Sequence, residues 1–410
     1  MSILNIIAIL LTLSALFAYI NHRFIGLPTT IGVMLIALVF SFLICLTGWL
    51  GFANFQQTAQ QLLQQIDFNV TLMNGMLSFL LFAGALHVSL HDLSQQKWLI
   101  LLLATVGVCI STAVVGVLSF GLLSILGINV SFIYCLLFGA LISPTDPIAV
   151  MATVKRLGIS KELETTIAGE SLFNDGVGVV VFLVILSLVL QPESFSFSHI
   201  VHLFVVEAIG GVIFGAVLGA VGYYLMKTVD NPMVEILISL AIVMGGYALA
   251  TAIHTSGPIA IVVTGLLIGN VARQRAMSAN TREHLDEFWE LIDEILNVIL
   301  FVLIGLEILV LQANVKWIVA GLLVIPIVVG TRLLSVGLPI QALRLRRRFP
   351  DHLIKILTWG GLRGGISVAL ALSLPAGAER DVLLLMTYVV VLFSIVVQGL
   401  TVGKLIKRLS

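Results

Sequence analysis

Charged residues are scarce in this chain: Asp, Glu, Lys and Arg make up only 10% of its 410 residues, whereas hydrophobic residues make up 59%. Soluble domains carry about 25% charged residues, so this composition excludes an ordinary soluble protein. Acidic and basic residues balance at 21 each, which gives no net attraction to nucleic acid. The three cysteines all lie in apolar stretches, which excludes a disulfide framework or a thiolate metal site. We therefore expect an all-α polytopic membrane protein.

Apolar stretches long enough to cross about 30 Å of hydrocarbon recur along the chain. They predict thirteen transmembrane helices, spans 1 to 13, at roughly residues 3–20, 25–47, 70–90, 98–124, 131–153, 163–190, 198–226, 233–253, 257–272, 291–311, 317–343, 353–374 and 382–403. No linker or soluble domain interrupts the series, so residues 1–410 are interpreted as a single membrane domain. The polar segment 276–290 is interpreted as an interfacial helix that leads into span 10.

Basic residues lie almost entirely on one side of this predicted topology. Of the 21 Lys and Arg residues, seventeen fall in alternate loops and the C-terminal segment, two fall in the opposite loops, and Arg332 and Arg363 lie inside spans. The positive-inside rule assigns the basic side to the cytoplasm, so an outside N-terminus and an inside C-terminus are expected. The basic run RLRRR at 344–348 is interpreted as a topology determinant rather than a lipid-binding site.

Two spans carry residues that interrupt a helix. Span 5 contains SPTDP at 143–147, whose two prolines remove backbone donors and predict unwinding near Thr145 and Asp146. Span 12 contains GGLRGGIS at 360–367, in which four glycines surround Arg363. Unwound backbone at membrane depth persists only where protein or a water-filled cavity satisfies it. Both breaks therefore indicate a site or a pathway.

The two breaks occupy matching positions in two halves of the chain. If span 7 (about 198–226) is a linker, spans 1–6 (about 3–190) and 8–13 (about 233–403) form two inverted six-helix repeats, each with a broken fifth helix. Such matching interruptions are typical of transporters with a midplane site. Half-helices meeting there would bring like dipole ends together, so Asp146 and Arg363 are expected to neutralise them.

Span 6 carries GESLFNDG at 169–176 among apolar residues. At about 100° per residue, Ser171 and Asp175 share one face of a helix. A carboxylate without a basic partner at membrane depth must be hydrated or neutralised, and its ionised form is a hard ligand suited to an alkali cation. We therefore predict that a proton and a cation compete for Asp175. Ser171, Thr145 or carbonyl groups freed at the span 5 break are the candidate neighbours.

Glu170 diverges from Asp175 by about 140° around the helix and needs a different explanation. The unassigned arginine of span 11, Arg332, is its predicted ion-pair partner. Arg363 of the span 12 break is the alternative partner. The expected role of the pair is to hold spans together.

These motifs, in this order and spacing, resemble the monovalent cation/proton antiporters of the NhaP and NHE type, as does FWELIDEILNVILFVLIGLE at 288–307. The resemblance covers essentially the whole chain and implies an NhaA-like fold with broken crossing helices. It implies a secondary antiporter, not an enzyme, that exchanges Na⁺ or Li⁺ for H⁺ by alternating access in pH homeostasis; K⁺ stays open. It also implies a bacterial inner-membrane homodimer in contact with lipid, without a cofactor.

The resemblance also assigns the cation and proton site, which comprises Asp175, Asn174, Ser171, Thr145 and Asp146. Asp175 is the implied carrier, and Asp175, Ser171 and Thr145 are the implied Na⁺ ligands. Asn174 stands where electrogenic relatives carry a second Asp, which implies electroneutral one-for-one exchange.

Two departures limit what carries over. Ala83 stands in span 3 where some archaeal members have an acid, so any role of that acid is not expected here. The series of spans reaches nearly to Ser410, so regulation by a cytoplasmic tail is not expected either.

Two other functions compete with antiport. Asp146 and Asp175 could form the dyad of an intramembrane aspartyl protease, but each lies in its own distinct motif and no GxGD setting occurs. A cation channel would also use membrane acids, but two interrupted helices at matched positions favour alternating access.

Overall fold

A computed structural model of the chain describes residues 3–49, 57, 60, 61, 63, 68, 71–148, 150, 151, 154, 160–190, 197–311, 314–345, 347, 349, 350 and 352–409. The longer helices, in chain order, are α1 (Ile3–Ile20), α2 (Thr29–Trp49), α3 (Leu77–Leu86), α4 (Leu90–Leu102), α5 (Val108–Ile125), α6 (Phe132–Leu141), α7 (Lys161–Leu190), α8 (Phe197–Lys227), α9 (Pro232–Ala252), α10 (Gly257–Leu267), α11 (Ala279–Glu307), α12 (Val315–Arg344), α13 (His352–Trp359), α14 (Gly365–Leu372), α15 (Ala378–Phe393) and α16 (Gly399–Leu409). Shorter helical pieces, five of them π turns, lie at Asn21–Ile25, Thr71–Met76, Leu103–Gly107, Ile268–Ala272, Arg273–Arg275 and Ser394–Gln398. The described part of the chain contains no strand, and its one β-bridge joins Asp146 to Leu362.

Nine helical stretches of the described residues are long and apolar enough to cross a membrane. They are Asn5–Ile25, Thr29–Thr47, Leu90–Ile125, Lys161–Leu190, Val205–Lys227, Pro232–Ala252, Gly257–Arg275, Val315–Arg344 and Ala378–Leu409. Predicted spans 3 and 5 coincide with two shorter apolar helices, Thr71–Leu86 and α6. Span 10 coincides with the long, charged α11, and span 12 with the two short helices α13 and α14. The protein is thus an all-helical, multi-pass membrane protein, and the count of thirteen stays a prediction.

The polar segment 276–290 is helical from Ala279 onward and leads directly into span 10, as the sequence predicts, and its interfacial location stays a prediction. Ser278 caps the start of α11, with its hydroxyl accepting from the Thr281 N–H, and the helix then continues without a break to Glu307. Leu285 and Trp289 are buried on the same helix as the apolar part of span 10. One buried face therefore runs from the polar segment into the span.

Helix α7, which carries GESLFNDG, packs closely on its neighbours because glycines lie at its contacts. A Cβ atom at Gly178 would lie 2.6 Å from Pro144 Cγ, and one at Gly176 would lie 2.9 Å from Ile259 Cγ1 of α10. Small residues permit such close approach between membrane helices. Gly178 thus brings α7 directly against the first predicted break.

Candidate ion-exchange site

The first break lies at the residues that the sequence predicts. Helix α6 ends at Leu141, the backbone from 143 to 147 is not helical, and residue 148 is helical again. The Ile148 N–H donates to Asp146 Oδ1 at 2.9 Å. Asp146 therefore caps the start of the second half-helix of span 5, where the backbone donors lack helical partners.

The second break lies between α13, which ends at Trp359, and α14, which begins at Gly365. The Asp146 N–H donates to the Leu362 carbonyl oxygen at 2.8 Å, which forms the β-bridge between the two unwound segments. The two broken spans therefore meet at their breaks, and their backbones satisfy each other there.

Asp146 and Arg363 lie at opposite kinds of helix end. Arg363 Nη1 donates to the carbonyl oxygens of Ser143 and Pro144, at 2.6 and 3.0 Å, just beyond the C-terminal end of α6. A methyl group at Gly364 would collide with the Asp146 carboxylate, so this acid also lies against the N-terminal end of α14. The arginine thus faces the negative dipole end of α6, and the aspartate faces the positive ends of α14 and of the second half-helix of span 5.

Helix α7 holds the unwound Thr145 through two side chains. The Thr145 N–H donates to Asn174 Oδ1 at 3.2 Å, and Asn174 Nδ2 donates to Thr145 Oγ1 at 2.8 Å. Thr145 Oγ1 also lies 3.0 Å from Ser171 Oγ. Because the backbone N–H fixes the orientation of the amide, Thr145 Oγ1 accepts from Asn174 and can donate its own proton to Ser171.

Asp175 lies on the same face of α7 as Ser171, one turn further along. Its side chain is partly exposed and lies close enough to Asp146 for the two charges to interact. The ion pairs found among the described residues do not include Asp175. The arrangement thus combines an unpaired carboxylate with the hydroxyl groups of Ser171 and Thr145, which are the oxygen ligands that suit a hard monovalent cation.

Glu170 lies in direct contact with Arg332. Arg332 Nη1 lies 2.6 Å from Glu170 Oε1, and their side chains are 7% and 2% exposed. Arg332 Nε also donates to the Leu357 carbonyl oxygen of α13 at 3.3 Å. Arg363 is near enough to interact electrostatically with both residues. Of the two partners that the sequence leaves open, Arg332 is therefore the one in contact, and it links α7 to α12 and α13.

Sequence analysis missed a fourth acid beside the breaks, Asp293 of α11. Asp293 lies one turn before the buried Asn297 on α11 and within electrostatic range of Asp146, Glu290 and Glu294. Glu290 and Glu294 are exposed, so side chains of increasing burial lead from the surface toward the breaks. The available signal was spacing, because residues 290, 293, 294 and 297 follow the helical pattern of three and four.

Comparison with known proteins identifies the family of this chain. The sequence profile of the family described as "Sodium/hydrogen exchanger, transmembrane" matches residues 12–408. The Na⁺/H⁺ antiporter NhaP of Pseudomonas aeruginosa is 52% identical over 410 residues, which cover 99% of this chain and 97% of that protein. The Na⁺/H⁺ antiporter NhaH of Halobacillus dabanensis is 35% identical over 389 residues, covering 93% of this chain and 92% of that protein.

A solved structure has the same fold. The sodium proton antiporter MjNhaP1 from Methanocaldococcus jannaschii at pH 8 matches with a TM-score of 0.78 and 20% identity, covering 100% of this chain and 99% of that one. At this identity the likeness establishes the fold, and the sequence matches establish the family. The chain therefore belongs to the family of transmembrane sodium/hydrogen exchangers.

Proposed function

We propose that the protein is a secondary antiporter that exchanges Na⁺ or Li⁺ for H⁺, with Asp175 holding either the proton or the cation. The observation that carries this proposal is a carboxylate without an ion-pair partner among the described residues, on the same helix face as Ser171 and beside an unwound helix. Close relatives named Na⁺/H⁺ antiporters support the choice of ions.

Asp175, Ser171 and Thr145 are the proposed cation ligands. When Asp175 loses its proton, its carboxylate supplies the negative charge and the two hydroxyl groups supply neutral oxygens. Asn174 fixes the position of Thr145 through its two hydrogen bonds. Asp146 neutralises helix ends and adds negative potential beside the site. Because one carboxylate cannot hold a proton and a cation together, binding of one releases the other.

We further propose the thirteen-span, inverted-repeat topology with an outside N-terminus and a cytoplasmic C-terminus. Contacts between loops support the assignment of alternate loops to the same side of the membrane. Arg347 Nη2 lies 2.6 Å from Glu162 Oε1, which joins two loops assigned to the cytoplasm. The Ser131 N–H donates to Glu379 Oε1 at 2.7 Å, which joins two loops assigned to the outside. The neighbours Arg346 and Arg348 of the RLRRR run lie outside the described residues.

Alternating access would then expose Asp175 to one side at a time as the broken spans and α7 move together. Asp293 and the exposed Glu290 and Glu294 lie on the side assigned to the cytoplasm and would attract cations to it. A homodimer in a bacterial inner membrane follows from the family resemblance, and the bacterial origin of the relatives named above supports that location.

The competing functions have less support. In a protease dyad, Asp146 would have to bind the attacking water jointly with Asp175. Asp146 instead accepts from the Ile148 N–H and lies against the N-terminal end of α14. A channel needs a continuous open path through the membrane. The two breaks instead contact each other through the hydrogen bond from the Asp146 N–H to the Leu362 carbonyl oxygen.

The direct test measures proton movement in sealed vesicles that contain the purified protein. With an acidic interior and a pH-sensitive dye, adding Na⁺ or Li⁺ outside is expected to drive proton efflux, and the same series with K⁺ determines selectivity. Vesicles without protein are the control. If none of the three cations moves protons above that control, the proposed function is wrong.

Exchange is expected to be electroneutral, because Asp175 is the one acid proposed to change its occupant. A potassium diffusion potential set by valinomycin, of either sign, should leave the initial rate of Na⁺-driven proton efflux unchanged. A rate that rises with one sign of the potential and falls with the other would contradict one-for-one exchange.

A further inference from the structure

The last predicted span contains a buried polar pair that the ion site described above does not use. Ser394 and Gln398 begin and end the π turn between α15 and α16, and both side chains are buried. Isolated π turns within helices are frequent at functional sites. Buried polar groups in a membrane helix are costly and usually have a specific partner.

The partners of this pair lie in the second break. The Arg363 N–H donates to Ser394 Oγ at 2.8 Å, and Ser394 Oγ donates to Gln398 Oε1 at 2.7 Å. Gln398 Nε2 donates to the Trp359 carbonyl oxygen at 3.3 Å. The pair therefore satisfies a free donor within the break and a free acceptor at the end of α13. One chain of hydrogen bonds thus spans the unwound segment.

The first break is supported in the same way by a helix of the first half. There Ser171 and Asn174 of α7 hold the backbone and hydroxyl of Thr145. In the predicted repeats, α7 is the sixth helix of the first half, and the helix with Ser394 is the sixth of the second. Each sixth helix therefore supplies a serine and an amide to the broken fifth helix of its own half.

We propose that Ser394 and Gln398 are positioning residues for ion exchange, acting on the cation ligand Thr145 through Arg363. Ser394 fixes the backbone of Arg363, whose guanidinium group holds the carbonyl oxygens of Ser143 and Pro144, directly before Thr145. The Leu362 carbonyl, next to Arg363, also accepts from the N–H of the residue that follows Thr145. This inference rests on the proposed function.

Removing the Ser394 hydroxyl is expected to weaken cation binding. In the vesicle assay, Ser394→Ala should raise the KM for Na⁺ roughly fivefold, which corresponds to the net contribution of one intramolecular hydrogen bond. Gln398→Met, which keeps the length of the side chain but not its amide, should raise the KM in the same direction. Ser394→Thr keeps a hydroxyl and should restore the KM to near the wild-type value.

Thr387→Val is the matched control on the same span. Thr387 is fully buried, and its hydroxyl donates within its own helix to the Leu383 carbonyl oxygen at 2.7 Å. Loss of this hydroxyl should leave the KM within about twofold of wild type. A general loss of helix stability would reduce the amount of active protein in both Ser394→Ala and Thr387→Val. The proposal instead requires that, of these two variants, Ser394→Ala changes the KM and Thr387→Val does not.

Hydrogen–deuterium exchange provides a readout that does not depend on transport. Ser394→Ala, purified as folded protein in detergent, should exchange faster at the amides of Arg363 and Asp146, while Thr387→Val should not. If Ser394→Ala does not fold, Gln398→Met is measured in its place. An unchanged rate of deuterium exchange at the Asp146 amide in the folded variant overturns the proposal. An unchanged KM for Na⁺ in both Ser394→Ala and Gln398→Met overturns it as well. Absence of transport in the wild type would instead overturn the proposed function, with the deuterium result still testing the contact.

Discussion

Asp175→Asn is expected to abolish cation-driven proton exchange. Asparagine has nearly the same shape as aspartic acid, so the packing of α7 should persist, but an amide can neither release a proton nor supply the negative charge that binds the cation. In vesicles with an acidic interior, the variant should show the proton efflux of protein-free vesicles after addition of Na⁺ or Li⁺. Its elution profile and melting temperature in detergent should match those of the wild type.

The same substitution at a distant acid is the control. Asp92 lies near the start of α4 and forms an ion pair with Lys161 at 2.9 Å. The side chain of Lys161 is largely exposed. Solvent screens an ion pair with one largely exposed partner, so Asp92→Asn should keep both the fold and the exchange rate. Exchange by Asp175→Asn at the wild-type rate would show that another group carries the proton and the cation.

The breaks were predictable because proline and glycine act locally. The two closely spaced prolines of SPTDP and the four glycines of GGLRGGIS disfavour a continuous helix, and α6 and α13 do end there, whereas α12 continues through the isolated Pro326 and Pro339. The helical period alone also separated Asp175 from Glu170, since the angle between two positions does not depend on tertiary contacts. Sequence reasoning therefore identified the segments that meet and the faces of α7.

The supporting contacts were not predictable, because they join residues that are distant in sequence. Asn174 reaches Thr145 across 29 positions, and Ser394 reaches Arg363 across 31. Serine and glutamine occur in many helices, and neither their number nor their period distinguishes Ser394 and Gln398 from surface residues. The hydrogen bond that joins the two breaks, from the Asp146 N–H to the Leu362 carbonyl oxygen, depends in the same way on tertiary packing.

Glu170→Gln and Arg332→Gln should each lower the stability of the folded protein strongly. Both side chains are almost fully buried, and their 2.6 Å contact balances two charges within the membrane. Removing one partner of a buried pair leaves the other charge uncompensated, which typically costs about 3–5 kcal/mol. Thermal unfolding in detergent should therefore show a lower melting temperature for each variant. The double variant should lose less than the sum of the two.

Glu162→Gln is a matched control on the same helix. Glu162 lies eight residues before Glu170 and contacts Arg347 at the same 2.6 Å, but the side chains are 55% and 45% exposed. Solvent screens such a pair, so this substitution should cost at most about 1 kcal/mol. A similar loss for Glu162→Gln and Glu170→Gln would mean that burial does not determine the strength of the inner pair.

Glu170→Gln and Arg332→Gln should also differ from each other in melting temperature. Arg363 lies within electrostatic range of both Glu170 and Arg332. Without Glu170, two buried arginines repel each other with no acid between them, whereas without Arg332 the carboxylate of Glu170 keeps the attraction of Arg363. Glu170→Gln should therefore melt at a lower temperature than Arg332→Gln. The reverse order would show that the bond from Arg332 to the Leu357 carbonyl stabilises the protein more than the ion pair does.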